Sequence, residues 1–152
     1  MSNYPAWWDT TLTIYNKYVD PDTRVVTWYR TVVENCFWKY DNTRYYSGQQ
    51  QGFNSILSNT KFVTCRIPKD ERYLDILDWI KSDDRANHFT LNNGDFIVQG
   101  EVDDAIDEYE KGSRATDVLA KYRQYNKACE IDIFTVDTGT CRCCEHYNIR
   151  GV

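Results

Sequence analysis

Glycine and proline are scarce in this 152-residue chain, at seven and three. That scarcity excludes a disordered or low-complexity chain. No apolar run approaches the ~20 residues that a membrane-crossing helix needs. Met1 to Thr10 also lacks the basic start and apolar stretch of a signal peptide, so the expectation is assembly in a cytoplasm with no membrane partner. Basic blocks are missing too. The net charge is −5, and tight binding to nucleic acid depends on neutralising phosphates, so a gripping DNA binder is not expected. Histidine occurs only at His88 and His146, which leaves few general bases for catalysis.

Aromatic residues are plentiful: twelve Tyr, five Trp and six Phe make 15% of the chain. Large flat rings pack well on a half-buried pleated surface, so this composition favours sheet. The length suits one domain spanning residues 1–152. Thr11–Val19 alternates as a strand, and Asp20-Pro21-Asp22-Thr23 has turn chemistry. Arg24–Thr31 completes a hairpin. Val32–Tyr40 reads as a third strand with apolar groups on both faces.

Asp41–Asn59 breaks this pattern. It is polar, holds Gly48 and Gly52, and reads as a long loop or arm, a class of segment that is usually functional or mobile. Tyr45, Tyr46, Phe53, Ile56 and Leu57 give such an arm something to bury against a neighbour.

Thr60–Ile67 is a fourth strand, ended by Pro68. Tyr73, Leu77 and Ile80 fall at i, i+4 and i+7, predicting a short helix within Arg72–Lys81 whose Asp75 and Asp78 face water. Phe89–Val102 holds an Asn93-Gly94 turn signal, and Asp103–Lys111 is acidic and irregular. Arg114–Tyr125 is the clearest helix, with Ala115, Val118, Leu119 and Tyr122 on one stripe. Glu130–Val136 and Glu145–Arg150 close the chain as strands. The expected fold is mainly β with one packed helix, a small β-barrel or sandwich with a long loop.

Among chemistry-bearing groups, Cys129, Cys141, Cys143, Cys144 and His146 supply soft ligands, but structural zinc sites use paired ligands separated by a loop, and here all but one crowd into six residues. Cytoplasmic thiols stay reduced, which argues against disulfides. A nucleophilic cysteine needs an activating base and a lowered thiol pKa, and no pattern here supplies them. The carboxylate groups Asp70-Glu71, Asp83-Asp84, Asp103-Asp104 and Asp107-Glu108-Glu110 lack calcium-loop spacing and read as a solvated acidic face. No phosphate-cradling loop is present. The expectation is therefore no catalytic, cofactor or metal site, and a protein that is not an enzyme. Trp7-Trp8, Trp28, Trp38 and Trp79 read as core and subunit-contact residues, with an aromatic-surfaced or zinc-binding module as the outlying alternative.

Three segments carry a resemblance. Asp9–Trp38 (DTTLTIYNKYVDPDTRVVTWYRTVVENCFW), Phe89–Asp104 (FTLNNGDFIVQGEVDD) and Glu145–Val152 (EHYNIRGV) together resemble, in the same order, the small neck proteins of siphophages and prophages of Gram-positive hosts, labelled head-closure or minor capsid proteins. The resemblance implies a β-barrel subunit of a homo-oligomeric ring, a hexamer or dodecamer, in the virion neck. Its partners would be a portal-side head connector and a tail protein. Packaged DNA would pass through the lumen without sequence-specific binding, and an acidic lumen would repel the duplex. A tail terminator or tail completion protein is the neighbouring alternative. Heterologous ring contacts need two different patches per subunit, expected in the Asp41–Asn59 arm and at Trp7-Trp8.

Overall fold

The computed structural model describes residues 4–47, 56–137 and 145–152. Its elements run β1 (Thr10–Val19), β2 (Val26–Ser47), β3 (Ile56–Pro68), α1 (Ile76–Lys81), a 3-10 turn (Arg85–Asn87), β4 (Phe96–Gln99), α2 (Ala115–Arg123), β5 (Ala128–Asp137) and β6 (His146–Gly151). The six strands close into an antiparallel barrel in the order β1-β2-β3-β6-β5-β4. Of the two architectures expected from sequence, barrel and sandwich, the chain adopts the barrel. Closure leaves no free sheet edge along the body.

The first hairpin begins where the sequence placed it. The Asp20 carboxylate accepts from the backbone N–H groups of Asp22 and Thr23, at 2.8 and 3.1 Å, which folds the chain back over Pro21 and holds this carboxyl below its ordinary range. The two strands expected at Arg24–Thr31 and Val32–Tyr40 are instead one continuous β2 of 22 residues. Its apolar groups fall on both sequence parities because the strand is bulged. Thr10 pairs with Cys36 and Leu12 with Val33, so β2 carries one extra residue there. Asn35 absorbs it at φ 58°, a left-handed conformation that Asn tolerates better than most side chains. Val33 and Cys36 both join the interior as a result, with Trp38 and Tyr40 packed against it.

The interior is lined by Leu12, Ile14, Val63, Cys65, Ile67, Ile97, Cys129, Ile131, Tyr147 and Ile149 from the strands, and plugged by Phe89 and Leu91. Gly151 is placed by close packing: a Cβ there would lie 2.4 Å from Cys129 Sγ. A second core lies outside the barrel wall. Tyr15, Phe96, Val98 and Ala128 are covered by Val118 and Leu119 of α2, with Val102, Ile106, Ala115 and Tyr122 around them. β1 is thus buried on both faces from Leu12 to Asn16. Helix α2 starts with the Asp117 carboxylate accepting from the N–H groups of Gly112 and Arg114, which satisfies donors that a helix start leaves open. It ends at Arg123, and the chain turns away through Asn126, left-handed at φ 59°.

Helix α1 forms within the predicted segment, capped by Asp75, whose side chain accepts from Leu77 N at 3.1 Å. Its buried face differs from the expectation. Leu77 and Ile80 are 64% and 44% exposed, while Trp79 is fully buried. A six-residue helix is too short for its stripe to dictate orientation. The indole of Trp79 decides it by filling a socket edge-on to Tyr18 and Tyr29 and donating to His88 O.

Candidate functional site

Antiparallel pairing gives the barrel two poles. One holds the starts of β1, β3 and β5 and the ends of β2, β4 and β6. The other holds the opposite strand ends, together with α1, the 3-10 turn and the plugging segment.

From the first pole β2 and β3 project beyond the wall. β1 first meets β2 at Cys36, and β6 last meets β3 at Val63. Past those points the two strands have only each other, through seven register pairs from Asp41↔Phe62 to Ser47↔Ile56. The loop expected over Asp41–Asn59 is therefore corrected: Asp41–Ser47 and Ile56–Asn59 are paired strand, and residues 48–55 lie outside the described residues. Cross-strand pairing organises this stretch, although its polar composition carries no alternating pattern to announce it. A two-stranded ribbon is marginal alone in water, and among the described residues neither of its outer edges has a strand neighbour. At the ribbon's root Arg150 stacks over Phe62 at 4.5 Å. A cavity of about 170 Å3 opens there, lined by Tyr40, Lys61, Phe62, Val63, Arg123 and Val152 among others.

The opposite pole is closed by a buried polar clasp. The Asn16 amide donates to Thr90 O at 2.6 Å and accepts from Thr90 N at 3.3 Å, which fixes its orientation. Its Nδ2 also donates to Asp95 Oδ2 at 2.9 Å, and Lys17 N donates to Asp95 Oδ1 at 3.0 Å. Asp95 is only 4% exposed. Burial raises its carboxyl to about 6, against the opposing pull of the bonds from Lys17 and Asn16. Just outside lies a cleft of about 320 Å3 between Lys17, Tyr18 and Val19 of β1, Ile76 and Ile80 of α1, and the Asn92–Asp95 turn. Gly94, at φ 95°, makes that turn where the sequence signalled it.

The expected second contact patch divides. Trp7 is 67% exposed, whereas Trp8 is buried, stacked on Tyr4 at 5.3 Å and edge-on to His146 at 5.3 Å. One tryptophan pins the N-terminal segment and the other faces out.

The cysteine and histidine group is not brought together. Cys129 lies in the barrel interior near Cys65 and Gly151. His146 begins β6, five residues or ~17 Å along the strand from Gly151. Cys141, Cys143 and Cys144 lie outside the described residues, among which no His, Cys, Asp and Glu cluster is arranged to hold a metal ion. Burial pushes the Cys36 thiol up to about 12 and Cys65 well above its ordinary value. Both are poor nucleophiles at neutral pH.

The acidic runs do more than face solvent. The Asp104 carboxylate accepts from Tyr122 and from Lys121, and these donors hold it below its ordinary range. Its carbonyl accepts from the Tyr15 hydroxyl, which burial raises to about 12 and so keeps as a donor. Glu108 accepts from Trp28 and Ala115 N. Asp70 pairs with Arg72 at 2.8 Å. The contacts of Asp104 and Glu108 strap residues 101–113 across the outer core. Sequence spacing offered no sign of them, since every partner but Arg72 and Ala115 is more than a dozen residues away.

Residues 7–152 match the family of unknown function DUF6751, and the chain belongs to that family. No curated protein and no solved structure matches it. Among the described residues no helix is long and apolar enough to cross a membrane.

Proposed function

With membership of that family as the premise, we propose that the chain is a structural ring subunit of a tailed-phage virion neck, bridging a portal-side connector to the tail and helping to retain packaged DNA. The observation that carries this reading is the ribbon. Seven register pairs stand off a closed barrel with no third strand, and a hairpin of that kind gains its stability from contact with another chain. Three further points support it. The segments Asp9–Trp38, Phe89–Asp104 and Glu145–Val152 resemble neck proteins. The buried thiols are unsuited to nucleophilic work. The chain exposes apolar side chains in two separate places, Trp7 on the N-terminal segment and Leu77 with Ile80 on α1, and a heterologous assembly needs two different patches. A neck role needs no catalysis, only a rigid body and an arm that orders on assembly.

Deleting the gene from its phage tests the reading. The expected outcome is DNA-filled heads that leak, together with free tails of normal length, and the chain located at the head-tail junction of wild-type particles by electron microscopy. Tails of irregular length would identify a tail terminator instead. Absence of the chain from purified virions would remove the proposal altogether.

A further inference from the structure

We infer that neighbouring copies meet flank to flank, the acidic strap of one copy lying on the outer β3–β6 face of the next. This inference rests on the ring-subunit reading and names the surfaces that meet.

In the closed order β1-β2-β3-β6-β5-β4, the β3–β6 pair lies across the barrel from the β4–β1 pair. The two flanks are dressed differently. Over β1 and β4 lies the outer core, covered by α2 and by Val102 and Ile106 of the strap. Among the described residues no such buried layer forms over β3 and β6. Val63, Cys65 and Ile67 of β3 and Tyr147 and Ile149 of β6 line the interior, so alternation turns Phe62, Thr64, Arg66, Asn148 and Arg150 outward. Beside them β2 presents Phe37 and Lys39, in register with Arg66 and Thr64.

This flank reverses the sign of the chain. The net charge is −5, yet the outward positions of β2, β3 and β6 hold Lys39, Arg66 and Arg150 against Asp41, which Lys39 already pairs at 3.5 Å. Arg66 and Arg150 lie over the rings of Phe37 and Phe62, at 5.2 and 4.5 Å. Neither meets a carboxylate among the described residues, and Arg66 Nε is buried without an acceptor. On the bordering β5, Glu130 is taken by Arg123 at 3.8 Å, and Asp132 is exposed beside Ile133. Two guanidiniums held by ring stacking and lacking a counter-charge suit carboxylates from another surface.

The opposite flank supplies those carboxylates. Strap residues 101–110 hold Glu101, Asp103, Asp104, Asp107, Glu108 and Glu110 and no cation. Arg30 and Lys121 reach Asp103 and Asp104, at 3.2 and 3.3 Å, and Trp28 donates to Glu108. Glu101, Asp107 and Glu110 are exposed and, among the described residues, in no ion pair. Apolar groups accompany both surfaces. Ile133, in register with Arg150, is exposed on the basic side, as is Trp7, next to the Trp8 that packs on Phe37. Tyr109 is exposed on the strap.

A second copy is thus the occupant whose charge fits. A DNA duplex would meet an otherwise acidic chain, which repels it. Two basic flanks together, or two straps, would set like charges against each other, which disfavours a two-fold contact. Each copy offers one flank of each kind on opposite sides, so the contact repeats from copy to copy and closes as a ring when the rotation allows it.

Charge reversal tests this by complementation. One variant carries Lys39→Glu with Arg150→Glu on the basic flank, and the other Glu101→Lys with Glu110→Lys on the strap. All four positions are exposed, so both variants are expected to fold, with thermal melts within a few degrees of wild type. Sedimentation of wild type is expected to show concentration-dependent assembly that added salt weakens. Either variant alone is expected to assemble at least about tenfold more weakly. Mixed in equal amounts, the two are expected to assemble again, since each flank then faces one of opposite sign. Wild-type-like assembly by the basic-flank variant, no recovery in the mixture, or a wild type that stays monomeric at low salt would each overturn the contact. So would a monomeric wild type that binds duplex DNA or poly-glutamate through Lys39 and Arg150, which would identify a different occupant. None of these results bears on whether the chain is found in the virion neck, so the two readings fail separately.

Discussion

Strands β2 and β3 each live in two environments. Over Val26–Cys36, β2 is paired to β1, and over Val63–Pro68, β3 is paired to β6; there the side chains fill a closed barrel. Over Asp41–Ser47 and Ile56–Phe62 the same two strands have only each other. Backbone pairing between them continues without interruption, so the difference lies in the strands on either side. In the body, one strand face is removed from water by a core. In the ribbon, the pairing has no further sheet neighbour to hold it, and a two-stranded ribbon is marginal on its own. One continuous hairpin is thus built into the barrel wall at one end and stands clear of it at the other.

Hydrogen exchange gives the widest separation between the two. Amides of β1 and of β2 up to Cys36 are expected to open only with global unfolding, at a cost of roughly 5–15 kcal/mol. Those of Asp41–Ser47 and Ile56–Phe62 are expected to open locally at a small fraction of that in the isolated chain. Equal protection along the whole hairpin would end the contrast. Truncation should sort in the same way. Trp79→Ala removes the fully buried indole that seats α1 on the barrel pole, at an expected cost of about 3–5 kcal/mol in urea unfolding. Asn42→Ala, on the exposed ribbon, is expected to stay within about 0.5 kcal/mol; a comparable loss at both sites would show that the ribbon is part of the cooperative core.

The clasp adds an effect of a different kind, one that depends on pH. The carboxyl of Asp95 is raised from 3.8 to about 6 by burial, so the folded state holds a proton that the unfolded chain releases. The associated stability is complete below pH 3.8 and is lost as pH rises through about 6, on the order of 3 kcal/mol from 1.36 kcal/mol per unit. The carboxyls of Asp70 and Asp104, held low by their partners, act in the opposite sense and only at lower pH. Denaturant unfolding between pH 4 and 7 should therefore show a decline that Asp95→Asn flattens. An unchanged slope in that variant would mean that another group carries it.

Much of the body was legible. β1, β3, α2 and the two closing strands follow from alternation, from the 3.6-residue stripe and from turn residues such as Asp20 and Gly94. Three features were not. The Asn35 bulge flips the parity of β2, so a local pattern read it as two strands, one of them apolar on both faces. The ribbon carries no hydrophobic alternation because it has no core to face. The clasp joins Asn16 to Thr90 and Asp95 across more than seventy residues, and Asp104 meets Tyr15 across 89, distances at which spacing conveys nothing.

Composition and periodicity by themselves determined that this chain is a β-rich domain with one amphipathic helix, since those features depend on contacts within a few residues. Only the tertiary structure decided that the strands close, that Trp79 rather than Leu77 faces inward, and that β2 and β3 outrun their neighbours. Each of these depends on which distant residues share a space, and a strand becomes a free ribbon only where the rest of the sheet has ended.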